Sequence, residues 1–333
     1  MLELRVDPWQ PDHGMGFEPS LVEPPARADP FVETEDWSRP LRPPPRAPGQ
    51  VWFVDGVRRV ELRVVATQDG RRAYGLFGSF AVGAVRSDGR AGFGPHAVDR
   101  VLVLGSGLVP APVDVEVGGA RLSYRAVSEP GSDPDHPLHR LQKEMQGAEV
   151  AVALEVAESQ DRLVLADGRW ESRERTEAPV VGVVKRWSRG YLLPEHEALV
   201  PSLVPGERTP LFGLVEPDET LSRYAWYARV APLRPEWHPQ AGVVRCEVAA
   251  DLGVGRAREV ADRVTALLPG FAGRRGDPRF PQNLAPVAAL EGWLRHRLGH
   301  PGLIRRALTA RLHEGLREGL PEGELQHEGG SER

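Results

Sequence analysis

The most constraining feature of this chain is a block of β-type apolar runs between residues 51 and 127 that gives way to one long helical stripe. Val51–Val65 reads VWFVDGVRRVELRVV and Ala73–Val85 reads AYGLFGSFAVGAV, with further strands expected at Val98–Leu104 and Val113–Val127 between Gly and Pro signals. Neighbouring strands joined by short turns favour antiparallel pairing. Leu138, Leu141, Met145, Ala148, Val152 and Val156 then recur at helical spacing, with Asp135 as the expected N-cap. Beyond this helix come a short apolar run at Arg162–Gly168, a buried-strand pattern at Ala178–Trp187, and a pair of strands at Arg223–Val230 and Gly242–Ala249. Helical periodicity closes the pattern at roughly 255–268, 284–299 and 302–317. Strands, helix, strands and helices on one continuous core predict an α/β or α+β chain with a mixed sheet.

The ends read differently. Residues 1–50 hold 11 of the 32 prolines, a density that favours extended chain and turns over the surface. Trp9, Phe17, Phe31 and Trp37 lie in the same stretch, so a partly docked extension is expected. Residues 318–333 are polar and acidic and are expected to form a flexible tail. The sequence thus divides into a Pro-rich N-terminal segment (1–50), a main domain (51–317) and a tail (318–333).

Composition removes several classes of function. Cys246 is the one cysteine, so an intramolecular disulfide and a cysteine-only zinc site are excluded, and a buried structural thiol is expected. No run of about 18 apolar residues is present and the N-terminus has no signal-peptide order, which makes a cytoplasmic protein without membrane contact the expectation. The net charge of −5 is unlike that of a generic binder of the phosphate backbone. Yet all but two of the 42 basic residues are arginine, the exceptions being Lys143 and Lys185. A local arginine-lined channel is compatible with a negative total. There is no GxxxxGK[ST] phosphate loop, and no local signature of a Ser or Cys nucleophile.

The chemistry-bearing signal is a repeated one. Val54-Asp55-Gly56 and Ala166-Asp167-Gly168 each place an acid at the end of an apolar strand, followed by a glycine that permits a sharp turn. Two such carboxylates on neighbouring strands converge and repel unless a cation lies between them. Hard divalent ions favour such oxygen ligands and activate water for phosphodiester hydrolysis. Spacing alone favours two Asp-Gly turns. Glu144, Glu149 and Glu155 all flank the apolar stripe of the intervening helix, and periodicity does not choose among them. In the SDPDHPLH segment, Asp133, Asp135, His136 and His139 fit a helix start without a metal.

In their order and spacing, FVDGVRR, AEVAVALEVAESQDRLVLADG, VVGVVKRWSR, RYAWYARV with VVRCEV, and RFPQNLAPVAALE resemble the NurA nuclease family over about Val51 to Leu308. The resemblance implies an RNase H-like fold, a mixed central sheet with metal-binding acids at strand ends. It further implies a Mn²⁺-dependent DNA nuclease, with Mg²⁺ as a possible alternative, having 5′-to-3′ exonuclease and single-strand endonuclease activity. Such enzymes are dimers that work with a hexameric HerA-type ATPase in DNA end resection and repair. Carried over by residue, Asp55 and Asp167 match the two acids and Glu149 the helix glutamate, with Glu144 in reserve, so that Asp55, Glu149 and Asp167 form the metal site. Lys185 falls on the lysine of the VVGVVK strand, where a cation stabilises charge on a phosphate. Arg58 and Arg59 are candidate phosphate contacts, and Tyr224, Trp226 and Tyr227 are candidates either for base stacking or for the core. One departure stands out: Phe280-Pro281 is present, but Ala288 occupies the place of the family's metal-site histidine, with Glu291, His296 and His300 as nearby substitutes. The rival expectation is a non-catalytic DNA-end adaptor of the same ATPase.

Overall fold

The computed structural model describes residues 2–6, 26–45, 49–170, 172, 174, 176–187, 190–273 and 279–318. The chain is a mixed α/β protein. Its strands are β1 (Leu2–Val6), β2 (Arg27–Asp29), β3 (Gln50–Gln68), β4 (Arg71–Ser87), β5 (Ala91–Leu104), β6 (Val113–Val117), β7 (Ala120–Ser128), β8 (Arg162–Asp167), β9 (Val180–Val184), β10 (Phe212–Val215), β11 (Leu221–Arg229) and β12 (Val243–Ala249). Its helices are α1 (His136–Val156), α2 (Pro194–Glu197), α3 (Val254–Leu267), α4 (Ala285–Arg297) and α5 (Pro301–Glu318). Among the described residues the twelve strands form one sheet in the order β2-β10-β11-β12-β9-β8-β3-β4-β5-β7-β6, with β1 paired to the far end of β3.

The sheet is mostly antiparallel, as the short Gly-containing turns between its long strands require. Asp69-Gly70 and the 88–90 turn join β3, β4 and β5 into two hairpins. Three pairings break the rule: β8 runs parallel to β3, β9 runs parallel to β8, and β5 runs parallel to β7. Helix α1 makes the crossover into β8. Its apolar stripe packs on one face of the sheet, against Val54, Phe80, Val82, Val164 and Ala166. On the opposite face, α3 and α4 pack against Val51, Phe53, Val57, Val181, Val183 and Trp226. Because both faces are covered, β8 and β9 read as unbroken apolar runs instead of alternating ones. Helix α5 closes a third cluster with Leu62, Val64, Phe77 and Tyr124. No described helix is long and apolar enough to cross a membrane.

Several sequence expectations need correction in detail. The strand expected from Val98 begins at Ala91, because β5 pairs along the full hairpin with β4 through a register shift between Gly83 and Val85. The run at 113–127 is two strands, divided at Gly118 and Gly119, whose φ values of 58° and 82° suit glycine. Asp135 occupies the N-cap position of α1 but caps nothing with its side chain. Its backbone is αR (φ −91°, ψ −15°) instead of extended, so the carboxylate is not aimed at the first-turn amides. Tyr224, Trp226 and Tyr227 are all buried, which places them in the core and removes them as stacking surfaces. Cys246 is buried, and burial raises its thiol pKa.

The N-terminal segment is described at 2–6, 26–45 and 49–50, and residues 1, 7–25 and 46–48 and the acidic stretch 319–333 lie outside the described residues. Glu33 anchors the piece at 26–45. Both its oxygens accept from Arg208, at 2.8 Å each, and Oε2 also accepts from the Leu211 amide. Arg208 is 1% exposed and completes its fork on Asp262. Removing one member of a buried pair leaves the other charge without compensation. Arg208→Ala is therefore expected to destabilise the protein by about 3–5 kcal/mol in urea denaturation. Arg42→Ala, which removes a surface partner of Glu207, is expected to cost less than about 1 kcal/mol.

Candidate metal centre

The site forms where β8 ends and β3 continues. Parallel register pairs Phe53 with Leu165 and Val54 with Ala166, so the next residue on each strand is an acid and both acids project to the α4 face. Asp167 is the last residue of β8, and Gly168 (φ 93°) turns the chain away. Asp55 is 7% exposed. From α4, Glu291 descends on the same buried stripe as Val287, Leu290 and Leu294. Asp55, Asp167 and Glu291 each offer a carboxylate oxygen within 4.8 Å of the others.

Glu149 reaches this point from the opposite face. It is carried on α1, and its carboxylate occupies the space that a Cβ on Gly56 would need, beside Met145 Cγ at 3.0 Å from that position. A glycine directly after Asp55 thus leaves room on the α1 face for the Glu149 carboxylate to lie against β3, on the side opposite the other acids. Glu144 is engaged elsewhere, in ion pairs with Arg125 (2.5 Å) and Arg140 (2.8 Å). Those arginines, outweighing the effect of burial, hold its pKa below the usual carboxylate value.

Cations balance part of this charge. Lys185, immediately after β9, donates to Asp167 Oδ2 at 2.7 Å and to Asn283 Oδ1 at 2.8 Å. Arg279 donates to both oxygens of Glu291, and Arg295 lies 3.3 Å from the same carboxylate. Burial tends to raise the Glu291 pKa, but these arginines and Lys185 bring it below the ordinary value. Asp55 has no such direct partner among the described residues. Burial, then the charges of Asp167 and Glu149, drive its pKa well above the usual range. Its Oδ1 accepts from the Gly56 amide at 2.8 Å, while Oδ2 is buried with no hydrogen-bond partner among the described residues.

An unpartnered, deeply buried carboxylate oxygen is costly unless something is meant to meet it. Three oxygen donors converging there, with a fourth carboxylate adjacent, suit a hard divalent cation such as Mg²⁺ or Mn²⁺. The donor set therefore fits a metal.

The two arginines expected near phosphate are bonded within the chain. Arg58 donates to Gln142 of α1 at 2.6 Å. Arg59 pairs with buried Glu61 and donates to the carbonyls of Leu298 and Gly299, where it stabilises the C-terminal end of α4. Of the three substitutes weighed for the position of Ala288, Glu291 is the one in the cluster, and His296 and His300 are exposed. Arg279, Gln282 and Asn283 also belong to the site, although the sequence pattern does not single them out. All three belong to RFPQN, and Gln282 donates to the carbonyls of Lys185 (3.1 Å) and Val243 (3.3 Å). Their signal was a run of hydrogen-bonding side chains ahead of an apolar helix. The signal for Glu291 was an acid on that helix's buried stripe.

Burial first and Asp167 second push the Glu149 carboxyl up to about 8, against 4.5 for the free group. The folded state therefore holds this proton more tightly than the unfolded chain. The resulting stability is fully present below pH 4.5 and is lost as pH rises through about 8. In chelator, the Tm of the wild type should fall across this window, and that of Glu149→Gln should fall less. Equal slopes for the two proteins would remove Glu149 from the coupled site. No protein-family model matches the sequence, and no curated protein matches it.

Proposed function

We propose that this chain is a metal-dependent DNA nuclease with an RNase H-like fold. The observation that carries the reading is the buried group of Asp55, Asp167 and Glu291, with Glu149 beside it and one oxygen of Asp55 left unpartnered. The fold reading is supported by a mixed central sheet whose acids lie at the end of β8 and on β3 beside it. Asp55, Asp167 and Glu291 would hold the ion, and Glu149 adds a further oxygen from across the sheet. A Mn²⁺ or Mg²⁺ ion supplies Lewis acidity and a bound water of lowered pKa for phosphodiester hydrolysis.

The chain's own residues supply orientation and charge. Asp55 and Asp167 stand on paired strands, so their separation is set by sheet geometry and not by loop motion. Lys185 places an ammonium beside Asp167, where it would balance negative charge that develops on a phosphate. Asn283 and Gln282 hold that lysine from its Nζ and its carbonyl respectively. The further elements of the reading are single-stranded DNA and DNA ends as substrate, a homodimer, and a hexameric HerA-type ATPase as partner in end resection and repair. These rest on the sequence resemblance.

The deciding experiment is digestion of 5′- and 3′-labelled single-stranded DNA with Mn²⁺, by wild type and Asp55→Ala, with and without chelator. Cleavage by the wild type is expected, falling by about 10³-fold or more in the variant and on chelation, as for loss of a group central to catalysis. A wild type that binds DNA ends but never cleaves them, even with its ATPase, would leave the adaptor as the function.

A further inference from the structure

Glu291 is claimed twice. Its oxygens belong to the group that faces Asp55 and Asp167, yet both accept from the Arg279 guanidinium, Oε1 at 2.5 Å. The two partners differ in exposure: the Arg279 side chain is 48% exposed and that of Glu291 only 7%. Arg279 thus stands at the rim of the site with one side on the acid and the other toward solvent.

We propose that Arg279 is a phosphate ligand held in reserve on Glu291, released toward substrate when a divalent cation takes that carboxylate. The inference rests on the nuclease reading above and adds a residue that exchanges partners within it. A cation bound by Glu291 draws on the same lone pairs as the guanidinium and sets a like charge beside it. A guanidinium freed at the rim presents a planar fork that matches two oxygens of a phosphodiester. The rest of the segment is fastened and need not move. Phe280 packs edge-on against Trp237 at 5.5 Å, Arg234 lies over both rings, and Gln282 and Asn283 are bonded to Lys185. Arg295, one turn along α4 from Glu291, remains to offset part of its charge.

The test separates the two halves of the exchange. Calorimetric titration with Mn²⁺ in the absence of DNA should show Arg279→Gln binding the ion more tightly than wild type, by about tenfold, a coupling ordinary for two ligands competing for one group. Fluorescence anisotropy with a labelled single-stranded oligonucleotide in Ca²⁺ should show the same variant binding DNA roughly tenfold more weakly, as for loss of a charged hydrogen bond. Arg279→Lys keeps the charge without the fork and should retain near-wild-type Mn²⁺ affinity, with intermediate DNA affinity. In a Glu291→Gln background, Arg279→Gln should no longer change Mn²⁺ affinity. Thermal melts of all variants verify folding. Unchanged or weaker Mn²⁺ binding by Arg279→Gln would overturn the exchange and make Arg279 a fixed brace for Glu291. Tighter Mn²⁺ binding with unchanged DNA affinity would overturn the phosphate role. A wild type that binds Mn²⁺ but neither binds nor cuts DNA would sink the nuclease reading, and the phosphate role with it, while the metal titration still decides whether Arg279 competes for Glu291.

Discussion

Mutual repulsion among buried carboxylates is the constraint around which this molecule is arranged. Asp55, Asp167, Glu149 and Glu291 meet in a region where an isolated negative charge is unfavourable, and each is accommodated differently. Asp167 has Lys185, Glu291 has Arg279 with Arg295 in support, and Glu149 tends to keep its proton. Among the described residues, Asp55 has only a backbone amide. The imbalance is concentrated on the one residue that the other three surround. Charge is thus partly compensated before any ligand arrives, and the remaining deficit has a definite place.

Topology brings the group together. Parallel alignment of β8 on β3 places two strand-borne acids on one face, and the parallel β9 delivers Lys185 alongside. The segment before α4 then acts as a clasp across the end of the sheet. Its arginine, glutamine and asparagine reach Glu291, the Lys185 backbone and the Lys185 ammonium in turn. Five consecutive residues thereby connect a helix to two strands. Their bonds are to charged groups or to backbone, where loss of geometry is most costly.

The parts of this arrangement legible in the sequence are those with local causes. Asp167 does end its apolar run before a turning glycine, as expected, whereas Asp55, expected to end its strand too, lies inside β3 with Gly56 still paired to β4. The Asp-Gly pattern alone also fits simple turns, and it was the order of the surrounding motifs that singled the two acids out. The α1 stripe and the three late helices were visible as periodicity. Other features depend on contacts distant in sequence. Glu149 and Glu144 occupy equivalent flanks of one stripe, and only the room at Gly56 on one side and the arginines on the other distinguish them. Arg59 looked available beside an acidic strand, but α4 ends against it some 240 positions later. The strands β1, β2 and β10 are too short to carry a pattern, and they exist because a longer neighbour offers an edge.

The room at Gly56 has a broader consequence. A closed sheet normally insulates its two faces, so that helices packed on one side have no say in events on the other. Here the missing side chain of Gly56 thins the barrier at one position, and a carboxylate from α1 lies there while the strand keeps its pairing with β4. Its charge bears on Asp55 from the other face. The fit of the helical layer thereby becomes part of the electrostatics of the acidic centre.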